Sequence, residues 1–178
     1  MLRVSASLAL IAVFNVLLAG QQATEHLSSP ESWKEYVDLE NGFAIRLPAA
    51  PDIWKDPTHP STHYTLHVTS DTIINVLVMR EVKDCPALLT YYADSARQLG
   101  GPSSVRDISV DGHQGFEIVP SAEGDSGYTR SLCANEKFYT LAASWLRGDP
   151  KPPVVTRILD SFRILKPAGE KQAPERRK

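Results

Sequence analysis

Tyr36-Val37-Asp38-Leu39-Glu40-Asn41-Gly42-Phe43-Ala44-Ile45-Arg46-Leu47 decides the fold of this chain. Asn41-Gly42 between two alternating apolar and polar runs is the strongest two-residue hairpin signal, because both central positions of such a turn take positive φ. The stretch predicts antiparallel strands over 36–40 and 43–47. Outward from it the same grammar repeats. Segments 63–69 and 73–81 are joined through Ser70-Asp71-Thr72, segments 105–110 and 114–119 through Asp111-Gly112, and segments 128–134 and 137–146 through Asn135-Glu136. Ile73-Ile74-Asn75-Val76-Leu77-Val78-Met79 is apolar at nearly every position, the pattern of a central strand covered on both faces.

Two segments carry a helical period instead. Leu88, Leu89, Tyr92, Ala93, Ala96 and Leu99 recur every three or four residues behind Asp84 and Pro86, and Gly100-Gly101 ends the run, predicting an amphipathic helix over 86–99. Val154, Val155, Ile158, Leu159 and Phe162 mark a shorter helix entered through Pro150, Pro152 and Pro153, with 163–165 extended beyond it. Pro48, Pro51, Pro57 and Pro60 lie in a connection expected to lack regular structure. Strands arrive in adjacent pairs rather than alternating with helices. The expected class is therefore α+β, a single antiparallel β-sheet built from successive hairpins with two helices packed against it.

The N-terminus supplies an address. Arg3 is followed by an apolar run from Val4 to Leu18, broken by Ser5, Ser7 and Asn15, and Ala19-Gly20 offers the small residues of a cleavage site. The run is shorter than the roughly 20 apolar residues that span a bilayer, and Gln21 stands where a lipoprotein needs Cys, so no permanent membrane anchor is expected. The reading is a signal peptide over 1–20 cleaved at about residue 20, a polar lead-in over 21–32, one domain over 33–165 and a disordered charged tail over 166–178, in a secreted or periplasmic protein. The net charge of the chain is -2 with both signs scattered, which argues against a nucleic-acid partner.

Certain core and turn positions resemble a known family. Trp33-Lys34-Glu35-Tyr36, Asn41-Gly42-Phe43-Ala44-Ile45-Arg46-Leu47-Pro48, the helix over 91–100, Gly112-His113-Gln114-Gly115-Phe116-Glu117 and Ser161-Phe162-Arg163-Ile164 are similar to exported bacterial proteins of the PsbP-like superfamily. The resemblance implies an antiparallel sheet with helices packed on it and a non-catalytic binding or accessory role. It implies no photosystem role, because fold analogy does not fix function.

Chemistry-bearing residues are sparse. Cys85 and Cys133 fit three states: a disulfide, which an oxidising compartment favours, two buried thiols, or a reactive Cys85 at a helix start. His59, His63 and His67 sit near Asp56 and Asp71, yet residues four apart on a strand stand about 13 Å apart. They share an ion only if another element bends in, so no metal and no cofactor are expected. Ser95, Ser126, Ser131 and His113 lack a Gly-x-Ser-x-Gly elbow, Gly124-Asp125-Ser126-Gly127 reads as a turn, and Gly100-Gly101-Pro102 lacks phosphate-loop spacing.

Tyr91, Tyr92, Phe116, Tyr128, Tyr139 and Trp145 read mainly as core, and Trp54 lies in the proline-rich connection. Trp54, Tyr128 and Trp145 are the candidate binding residues, with the loops around Trp54 and over 121–127 at the rim of the presented sheet face. The leading reading is an exported, non-catalytic binding or accessory module of the cell envelope, with an envelope protein or a small ligand as partner. The competing one is an extracytoplasmic hydrolase or metal-binding enzyme using His59, His63, His113 or Ser126. Mass spectrometry of the protein recovered from its host should find the mature N-terminus close to residue 21. Full-length chain retained in the membrane fraction would overturn the export reading.

Overall fold

The structure, a computed structural model, describes residues 33–100, 105–119, 126–146 and 151–166, with side chains except at 99 and 100. The expectations for 1–32, for the tail beyond 166 and for most of the loop 121–127 lie outside these residues. The chain separates into 1–33 and 34–178, and every element below belongs to the second unit.

The elements run β1 (Lys34–Asp38), β2 (Phe43–Leu47), β3 (Asp52–Lys55), β4 (Ser61–His67), β5 (Ile73–Met79), α1 (Cys85–Gly100), β6 (Val105–Val110), β7 (His113–Ile118), β8 (Gly127–Ala134), β9 (Lys137–Ser144), α2 (Pro153–Asp160) and β10 (Arg163–Ile164). Every strand pairing is antiparallel. The α+β antiparallel class holds, but the single sheet becomes two. Seven strands form one in the order β3-β4-β5-β9-β8-β7-β6, and β1-β2-β10 form a second.

Turn chemistry explains the hairpins individually. Asp111 and Gly112 both take positive φ between the paired Val110 and His113, and Asn135 and Glu136 do the same between Ala134 and Lys137. The first hairpin differs from its expected form. Its strands end at the pair Asp38–Phe43, leaving a four-residue loop in which Gly42, but not Asn41, has positive φ. The reason is local: the Asp38 carboxylate accepts from the Asn41 backbone at 2.7 Å, and the Gly42 N–H donates to the Asp38 carbonyl at 2.8 Å, closing a wider turn. The proline-rich connection also corrects an expectation, because it contains β3. Of the five residues between Pro51 and Pro57, four pair, and they do so with β4 alone, at the edge of the sheet.

The small sheet covers one face of the large one. Phe43 meets Tyr64 and Tyr139 edge-on with ring centres 5.1 and 6.5 Å apart and stacks on Phe162 at 5.5 Å. Phe43, Ala44 and Ile45 are all essentially inaccessible, and α2 packs on β2 and buries its own Val155, Ile158 and Leu159. On the opposite, outer face of the large sheet lies α1. Asp84 caps it by accepting from the Ala87 N–H at 3.0 Å, and Leu89, Ala93 and Ala96 rest on Val105, Phe116 and Ile118. Cys85, its first residue, is disulfide-bonded to Cys133 on β8, with Cα atoms 5.8 Å apart. The bridge excludes the two thiol states.

A buried polar cluster joins the two sheets. Asn41 is fully buried. Its Nδ2 donates to the Tyr64 hydroxyl at 2.6 Å, that hydroxyl donates to Asp38, and the Tyr139 hydroxyl donates to the Asn41 carbonyl at 2.7 Å. Burial alone would raise the Asp38 carboxyl, but the bonds from Tyr64 and Asn41 outweigh it and hold the group below the usual carboxylate range. Burial, reinforced by Asp38, pushes the Tyr64 phenol well above the ordinary tyrosine value.

Two outcomes follow. The bridge closes a loop of sequence separation 48, so Cys85→Ala with Cys133→Ala should lower the urea-unfolding free energy by about 4 kcal/mol. A carboxyl depressed in the folded state stabilises fully above its unfolded value near 4, and that stabilisation is lost as pH falls through the folded value. Tyr64→Phe should therefore cost about 2 kcal/mol at pH 7, and the gap to the parent should narrow at pH 3. An equal gap at both pH values would show that the hydroxyl does not act through Asp38.

Candidate functional site

Roofing of the outer face is incomplete. Strand alternation puts Trp54, His63, Leu77 and Thr140 in one row across β3, β4, β5 and β9, with Ser61, Met79 and Phe138 in a parallel row. Helix α1 packs on β6, β7, β8 and β9, and its Tyr92 stacks over Phe138 with ring centres 5.4 Å apart. Among the described residues the roof ends beyond β9. On β5 the inward residues Ile74, Val76 and Val78 are buried, whereas Asn75 is exposed and Ile73, Leu77 and Met79 are half-buried. This corrects the expectation that β5 is covered on both faces: its apolar composition is matched by a partner layer on one side only.

Trp54 is 54% exposed and its indole sits 4.9 Å from the His63 ring. Beside this pair lies a depression of about 230 Å³ lined by Asp56, His59, His63, Leu77, Met79 and Arg80 among others. The turn leading into β4 is built around Asp56. Its carboxylate accepts from the Thr58 hydroxyl and N–H, both at 2.7 Å, and from the His59 N–H at 3.1 Å. The Thr58 hydroxyl, then the backbone bonds and His59, hold the Asp56 carboxyl down at about 2. His59 Nδ1 stands 2.8 Å from the Thr58 hydroxyl and 3.4 Å from Asp56. Glu40 bridges Lys55 and Arg80, each at 2.7 Å, which fixes the end of β3 to the exit of β5.

Of the three candidate binding residues, the structure puts Trp54 alone at the surface. Tyr128 and Trp145 are each 6% exposed. The Tyr128 hydroxyl donates to Glu117, and burial followed by that bond pushes its phenol up to about 12. Beside it, Arg130 lies 3.5 Å from Glu117, donates to the Leu159 carbonyl at 2.9 Å and pairs with Asp160 at 3.3 Å. This cluster pins the end of α2 to the large sheet. Trp145 donates its backbone N–H to the Ser126 carbonyl at 3.0 Å.

The hydrolytic candidates are scattered. Ser95 donates to Tyr91 within α1, Ser131 pairs with Thr140 inside the sheet, and His113 opens β7 beside the β6–β7 turn. Among the described residues no histidine is a hydrogen-bond partner of Ser95, Ser126 or Ser131, and no three His, Cys, Asp or Glu side chains gather as a metal-binding group. Sequence reasoning missed two features. One is the depression that His59, His63 and Met79 line together. The other is a cleft of about 680 Å³ between α1 and the β6–β7 hairpin, lined by Leu89, Ala93, Arg97, Asp107, Gln114 and Phe116 and spanned by the Arg97–Asp107 pair. Both depend on how distant segments pack together, and neither leaves a periodic signal.

No family model matches the sequence, and no curated protein matches it. Among solved structures, the solution structure of cyanobacterial PsbP (CyanoP) from Synechocystis sp. PCC 6803 aligns with a TM-score of 0.51 at 11% identity, covering 77% of this chain and 95% of that one. A crystal structure from Bacteroides thetaiotaomicron VPI-5482 aligns with a TM-score of 0.45 at 11% identity, covering 79% of this chain and 51% of that one. The architecture is thus a PsbP-like α+β fold.

Proposed function

We propose that the protein is a non-catalytic accessory domain, exported to the cell envelope, that docks a protein partner on the open half of the large sheet's outer face. The observation that carries this reading is Trp54, held more than half exposed above His63 on a strand fixed by β4. A large aromatic ring with an apolar body and a polar N–H, left uncovered beside half-buried Leu77 and Met79, is the kind of anchor that interfaces use. Export rests on the signal-like residues 1–20. The accessory character is supported by the PsbP-like fold and by the dispersal of the nucleophile and base candidates.

The test is site-specific photo-crosslinking in the source cells, with a benzophenone amino acid replacing Trp54 in one strain and Tyr91, 66% exposed on the roof helix, in another. A discrete protein adduct from position 54 and none at that mass from position 91 is expected. The same adducts from both positions, or none from position 54, would remove this face as the docking surface.

A further inference from the structure

We propose that the depression beside Trp54 binds one monovalent copper ion, with His63, Met79 and His59 as its ligands. The spacing argument against a metal holds for His63 and His67, which lie along one strand. Other elements bring different donors to His63. Ser61 pairs with Met79 and His63 with Leu77, so Met79 is the diagonal neighbour of His63 on the same face of the sheet, within reach of long side chains. The Asp56 turn folds back before β4, its Ser61 N–H donating to the His59 carbonyl at 2.7 Å, and returns His59 to the same depression.

The donor set selects the ion. A thioether with imidazoles is a soft combination that suits Cu(I), whereas zinc asks for three or four N, S⁻ or carboxylate ligands. Among the described residues no trio of His, Cys, Asp or Glu is gathered, and Met79 is the sulfur donor that the strand register sets diagonal to His63. Both cysteines are consumed by the disulfide and none competes for copper. On the His59 ring Nδ1 stands 2.8 Å from the Thr58 hydroxyl and 3.4 Å from the Asp56 carboxylate, the kind of outer contact that orients a metal-binding histidine. Arg80 lines the depression as a second cation, but its charge is matched by Glu40 at 2.7 Å, and Asp56 adds a negative charge to the rim. The Trp54 ring stands beside His63 with ring centres 4.9 Å apart, close enough to report on an ion held there.

The inference stands apart from partner docking, because it concerns an ion and not a protein and is tested without cells. The full chain, with ascorbate as reductant and its disulfide intact, is titrated anaerobically with Cu(I) against the chromophoric chelator bicinchoninate. One Cu(I) per chain should be held, with quenching of tryptophan fluorescence that Trp54→Phe abolishes while copper remains bound. Met79→Leu, which keeps shape and removes the sulfur, should weaken binding by about tenfold or more, as should His63→Gln. Failure of the parent to hold copper against the chelator, or equal retention by Met79→Leu, overturns the proposal. So does a Zn²⁺ affinity that depends on Met79 as strongly as the Cu(I) affinity does.

Discussion

Asn41 is the point on which the two sheets turn. It sits in the first hairpin loop, belongs by sequence to the small sheet, and is wholly buried against the large one, where Tyr64 and Tyr139 come from β4 and β9 to meet it. Its Oδ1 stays unpaired and buried, a cost of order 1–3 kcal/mol accepted because its amide donors and its carbonyl are already fixed by Asp38, Tyr64 and Tyr139. In an apolar seam these bonds are directional. They set the register in which Phe43 lands between Tyr64, Tyr139 and Phe162, and dispersion and area burial supply the bulk of the adhesion around them.

The two faces of the large sheet are treated unequally. The inner face meets a sheet and a helix together, whereas among the described residues the outer face meets one helix, 16 residues long and bolted at its first residue by the disulfide to β8. A helix of that length lies over four strands, β6 to β9, and no other described helix roofs the remaining three. The surface ion pairs near the opening, Lys55–Glu40 and Arg80–Glu40, are exposed and contribute little to stability, but they hold β3 beside the exit of β5. The site is therefore a by-product of coverage. What fills it with distinct chemistry is the row-by-row register of β3, β4 and β5.

Tyr128 shows how an aromatic chosen for function can turn out structural. Its alternation placed it correctly on a sheet face, yet that face is the inner one, where its hydroxyl joins Glu117 and Arg130 in pinning the end of α2. Trp54 had the opposite fate. It was expected on an irregular loop and stands instead on an edge strand, which makes its position firm rather than mobile.

The sequence by itself determined what depends on neighbours a few residues apart. Periods of two and near four marked the hairpins and helices, and positive-φ turns at Asp111-Gly112 and Asn135-Glu136 fixed two of the connections. These signals are local because steric limits on φ and ψ act within a few bonds. Only the tertiary structure decided that β5 pairs with β9, that β1, β2 and β10 split off as a second sheet, that β3 exists, and that His59, His63 and Met79 share one depression. Each of those outcomes requires segments distant in sequence to close large loops, and the balance between that entropy and the packing gained is written in the assembled core rather than in any short stretch of residues.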